Sequence, residues 1–134
     1  DATPQLSVRI TAVTSANGQF AVRTGGSISL DVSFEVPQPV DGCAVVEIVN
    51  GRGELIARTD PTHNVVSLSR GAQTLSFVLP DIPFLDGTYA LNVGVMSTEG
   101  NSRIAWKEQA AQLEVTYDGR GAGIVSLSLD VHPN

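Results

Sequence analysis

One cysteine is too few for an intrachain disulfide, and Cys43 stands among Ala44, Val45 and Val46, so a buried, inert thiol is expected. Nowhere does an apolar run approach the roughly 20 residues of a membrane-spanning helix. Basic residues are scarce: eight Lys plus Arg against fourteen Asp plus Glu leave a net charge of −6. That balance argues against nucleic acid or an anionic membrane surface as the main partner. His63 and His132 lie far apart without Cys or carboxylate at ligand spacing, so neither a metal nor another cofactor is expected. A period near 3.6 never persists, which excludes a substantial helix. No signal-peptide pattern opens the chain, and a start at Asp1 reads as a piece cut from a longer protein.

Signatures of catalysis are also missing. There is no GxxxxGK(S/T) or GxGxxG phosphate loop, and the glycine-rich residues 119–123 precede a predicted strand instead of opening a helix. No GxSxG elbow presents a serine, and neither histidine has a distinctive setting. The acids fall on turns and outward strand positions, as solvated faces do. No enzymatic activity is expected of these residues.

What the chain does have is alternation. Hydrophobic residues make up 42% of it and come in strand-sized groups, enough to bury one core over residues 1–134. Leu6, Val8, Ile10 and Ala12 share one face of a first strand. Ile28, Leu30, Val32, Phe34 and Val36 alternate with polar residues until Pro37 and Pro39 end the run. Cys43, Ala44, Val45, Val46, Ile48 and Val49 surround a lone Glu47, the pattern of a central strand covered on both faces or partly buried by a partner. Asn50-Gly51-Arg52-Gly53 is a hairpin turn returning through residues 54–59. Residues 65–68, 73–79, 104–107 and 111–117 read as further strands, and Val125, Leu127, Leu129 and Val131 as a last one. About nine or ten strands with turns roughly every ten residues predict an all-β fold, an immunoglobulin-like antiparallel β-sandwich, with a jelly roll as the alternative.

Asp86-Gly87-Thr88-Tyr89 leads into a strand that places Tyr89, Leu91, Val93 and Val95 on one face and Ala90, Asn92 and Gly94 on the other. This is the pattern of a tyrosine corner, whose phenol bonds back to upstream backbone; an ordinary core tyrosine with a wet tip is the other reading.

Binding a sugar needs an aromatic face for the C–H side of a pyranose and planar polar groups for its hydroxyls. Trp106 is the single tryptophan, with Arg103 and Lys107 near it in sequence, and it reads equally as a plug between two sheets. Arg58, Asp60, His63 and Asn64 cluster in a polar stretch that reads either as a site or as a solvated turn. Glu47 and Asn92 are polar residues on what alternation makes the outer face of central strands.

Three stretches together resemble the C-terminal domain of Wzt-type proteins. They are Phe20-Ala21-Val22-Arg23-Thr24-Gly25-Gly26-Ser27-Ile28, Glu47-Ile48-Val49-Asn50-Gly51-Arg52-Gly53-Glu54-Leu55 and Phe84-Leu85-Asp86-Gly87-Thr88-Tyr89-Ala90-Leu91-Asn92-Val93. The resemblance spans nearly the whole chain. It implies a non-catalytic carbohydrate-binding module that follows an ATP-binding-cassette ATPase in a cytoplasmic polypeptide, peripheral to the inner membrane. Its partner would be an O-antigen or related polysaccharide, often terminally modified, bound for export with a membrane subunit. It also implies a homodimer formed by exchange of the last strand, from Val125 to Val131, about the glycine joint before it. The chain departs from the family at Ser102-Arg103-Ile104-Ala105-Trp106, where Asp and His are common. An extracellular immunoglobulin-like adhesion or spacer module stays open as the alternative.

Overall fold

A computed structural model describes residues 8–15, 20–117, 119 and 131. Its first sheet is built on β3 (Ile28–Val36), where Ile28, Leu30, Val32, Phe34 and Val36 are buried and the residues between them are not, as a period of two requires. β3 pairs antiparallel with β1 (Arg9–Ser15) on one side and β7 (Gly71–Leu79) on the other. The second sheet runs in the order β2 (Ala21–Arg23), β9 (Arg103–Thr116), β8 (Gly87–Met96), β4 (Val40–Val49), β5 (Leu55–Arg58), with β6 (Val65–Leu68) also paired to β4. The two sheets form an all-β, immunoglobulin-like sandwich. Its pairings are antiparallel apart from the short β2, which runs parallel to β9. Among the described residues there is no helix.

The core lies between the sheets. Leu30, Val32 and Phe34 meet Leu91, Val93, Val95 and Leu113, and none of them is more than 1% exposed. Each such side chain contributes about 1.5–3 kcal/mol by leaving water, which fixes the register of every strand that supplies one.

The tyrosine corner is present. Tyr89 is buried and its hydroxyl donates to the Leu85 carbonyl at 3.2 Å. Gly87 is needed beside it, since a Cβ there would sit 3.1 Å from the phenol oxygen. The Asp86 carboxylate accepts from the Tyr117 backbone N–H, tying the end of β9 to the same corner.

Two expectations change. Ala12 does not share a face with Ile10, because a bulge at Thr11 shifts the pairing from Ile10–Phe34 to Ala12–Ser33; Val13 turns to the core and Ala12 is exposed. Residues 104–107 and 111–117 are not separate strands: one 14-residue strand, β9, carries both. The expected last strand, with Val125, Leu127 and Leu129, lies outside the described residues, as does most of the glycine joint before it.

Candidate functional site

β4 is buried on both faces. Val46 and Ile48 point into the core, while Cys43, Val45 and Glu47 point away from the three-stranded sheet. Cys43 and Val45 are nevertheless 0% exposed, so other groups cover them. Val45 is level with Gly94 of β8 and, beyond it, Trp106 of β9. The loop before β6 meets the β8–β9 turn at Gly100, where a Cβ would stand 3.1 Å from the Thr62 methyl group.

A chain of polar contacts crosses this outer face. Glu47 is level with Arg58 on one side and Asn92 on the other. One Glu47 carboxylate oxygen accepts from Arg58 Nε at 2.9 Å and meets Arg58 Nη2 at 2.8 Å; the other accepts from the Asn92 amide at 3.2 Å. A carboxylate only 7% exposed is tolerable because donors replace the water it has lost. Asn92 passes the chain on, its carbonyl oxygen accepting from the Gln109 backbone N–H at 2.8 Å.

That last bond holds a break in β9. Leu91 pairs with Ala111 but Val93 pairs with Lys107, so Glu108, Gln109 and Ala110 all stand opposite Asn92. Gln109 takes φ 50°, a left-handed conformation unusual for a side chain of this kind. The Arg58–Glu47–Asn92 chain thus fixes a bulge that presents Lys107, Glu108 and Gln109 to solvent.

A second irregularity lies at the other end of β9. Val95 pairs with Ala105 and Met96 with Arg103, which leaves Ile104 unpaired; Ile104 and Ala105 both pack on the core. Arg103 and Trp106 therefore emerge on the same outer face, with the guanidinium carbon 4.1 Å from the indole centroid. The indole also fills the space that a Cβ at Gly94 would occupy. Its Nε1–H is buried and has no hydrogen-bond partner among the described residues.

Asp60, His63 and Asn64 belong to an excursion from the edge of β4. Thr59 closes β5 by donating its N–H to the Val46 carbonyl and accepting the Val46 N–H on its hydroxyl, both at 3.0 Å. Two residues back along β4, Asn64 resumes the edge by accepting the Ala44 N–H at 2.8 Å. Between them Asp60 accepts from the Thr62 hydroxyl at 2.6 Å and its backbone N–H at 2.9 Å, and pairs with His63 at 3.4 Å. The Thr62 bonds, aided by the imidazole, hold the Asp60 carboxyl below the usual range. These groups satisfy one another within an exposed turn.

No protein-family model matches this chain, and no curated protein does. Among solved structures it is similar to the C-terminal domain of wzt, with a TM-score of 0.69 at 16% identity over 98% of this chain and 90% of that one. The likeness is one of fold. It is also similar to part of the Pseudomonas fluorescens alkylpurine DNA glycosylase AlkC, solved bound to DNA containing an abasic site analogue. There the TM-score is 0.55 at 18% identity, over 82% of this chain and 30% of that one. A β-glucuronidase from glycoside hydrolase family 2 gives a TM-score of 0.52 at 16% identity over 81% and 12%.

Of the residues singled out in the sequence, Glu47, Arg58 and Asn92 form one connected group, and Arg103 with Trp106 forms a second in the adjoining row of the same face. Asp60, His63 and Asn64 sit in the neighbouring loop, and no hydrogen bond described joins their side chains to either group. Gln109 is the member that sequence reading passed over. Its one signal is that residues 108–110 interrupt the alternation between Trp106 and Ala111.

Proposed function

We propose that this chain is a non-catalytic carbohydrate-binding module for an O-antigen or related polysaccharide, acting in export by an ATP-binding-cassette transporter. It belongs, on this reading, with Wzt-type C-terminal domains and follows an ATPase domain in a longer cytoplasmic polypeptide held at the inner membrane by its transporter. The observation that carries the reading is the outer face of the six-stranded sheet. It is left uncovered by the three-stranded sheet and holds a planar aromatic and two guanidinium groups beside a buried row of amide and carboxylate groups. Those are the groups that sugar recognition uses. The fold likeness to the C-terminal domain of wzt supports the same direction. The chain would bind glycan and hydrolyse nothing, and two copies would associate through exchange of residues 125–131.

Titration with the glycan made by its own genomic cluster, followed by amide and side-chain NMR shifts, tests the reading. Shifts are expected at Glu47, Arg58, Asn92, Arg103, Trp106 and the Gln109 amide. A spectrum unchanged at all of them at saturating glycan would sink the site.

A further inference from the structure

We infer that the outer face takes an anionic substituent of its glycan, a carboxylate or a phosphate ester, on the guanidinium of Arg103; this rests on the glycan-binding reading above. The polar groups beside Arg103 are already used. Both Glu47 oxygens are engaged by Arg58 and Asn92, and the Asn92 carbonyl oxygen is held by the Gln109 N–H. Arg103 is different. Its side chain is exposed and makes neither a hydrogen bond nor an ion pair with any described residue, and its guanidinium lies over the Trp106 ring. Glu99 and Glu108 flank it in sequence, and neither pairs with it.

The unmet capacity of this pair is of donors: the guanidinium is exposed, and the Trp106 Nε1–H, which is buried, has no partner among the described residues. A guanidinium lying over an indole keeps its in-plane N–H groups free, and their fork matches two oxygens of a carboxylate or phosphate. Its position is set in advance. The bulge at Ile104 and Ala105 puts Arg103 on this face, and the glycine at position 94 lets the indole lie beneath it. Ordering done by the fold is not charged to binding. A net charge of −6 gives no long-range attraction for a polyanion, so the arrangement suits one anionic group gripped locally on a sugar.

The test is an array of bacterial polysaccharides printed in native, carboxyl-reduced and phosphate-stripped forms. It is probed with the wild-type chain, Arg103→Ala and Arg103→Lys, each first checked for native NMR dispersion. Binding to acidic glycans is expected, falling about tenfold or more when the acid is neutralised or in Arg103→Ala. Arg103→Lys should recover part of it, because a point charge replaces the fork. Which treatment abolishes binding distinguishes carboxylate from phosphate ester. Equal binding to native and neutralised glycans, or an Arg103→Ala chain that binds as the wild type does, overturns the inference and leaves the glycan reading standing. Free glucuronate or inorganic phosphate that shifts Trp106 emission in the wild type alone, while every glycan stays blank, would overturn the glycan reading and keep the anion site. A blank array with unmoved emission overturns both.

Discussion

Arg103 and Trp106 share a face of β9, 4.1 Å from guanidinium carbon to ring centroid, although residues three apart in a regular strand point to opposite sides. The extra residue at Ile104 reverses the phase between them. The same face requires glycine at position 94, because a side chain there would collide with the Trp106 ring and the Ala105 carbonyl.

Gly94→Val should therefore lower stability by about 1–3 kcal/mol, the usual range for overpacking a filled site. Displacement of the half-buried indole should move its emission to the red. Denaturant unfolding and fluorescence of the single tryptophan check both, and a variant with wild-type midpoint and emission would refute the contact.

Glu47→Ala removes the centre of the polar chain and leaves the Asn92 amide without its acceptor. Arg58, with its side chain 44% exposed, can return to water, so the loss should stay near about 1–3 kcal/mol and not reach that of a fully buried pair. Asn92→Ala should release the bulge. The Gln109 amide would then exchange with solvent much faster than in the wild type, and unchanged protection at Gln109 would count against the network as the support of the bulge.

Tyr89→Phe removes the bond to the Leu85 carbonyl and should cost about 1 kcal/mol. Burial, with the nearby Asp86 charge adding to it, raises the Tyr89 pKa in the folded chain. A raised folded pKa means that folding favours the protonated phenol, so its contribution is complete below the unfolded value of about 10 and is lost as pH rises through the folded value. Wild-type stability should fall more steeply than that of Tyr89→Phe above about pH 10; parallel pH profiles would argue against it.

Deletion of residues 125–134 should convert a dimer to a monomer in light scattering if the last strand is exchanged between copies. An oligomer of unchanged mass would refute exchange.

The sequence by itself determined the layers. Period two in β3 and β8 set which residues face the core, the uninterrupted apolar run around Glu47 marked β4 as central, and Asp86 to Tyr89 marked the corner. Each of these is local, because burying alternate side chains leaves one register open to a strand. Glu47 and Asn92 were legible for the same reason, as polar residues at outward positions of buried strands. Only the tertiary structure decided how they act. Glu47 meets Arg58 and Asn92 through pairings that join distant parts of the chain, and a pairing partner carries no mark in the strand it will join. The bulges at Thr11 and Ile104 were equally hidden, and the one around Gln109 showed only as a break in the alternation over residues 108–110. A bulge is a mismatch between two strands, not a property of one, and it is the Ile104 bulge that sets Arg103 on Trp106.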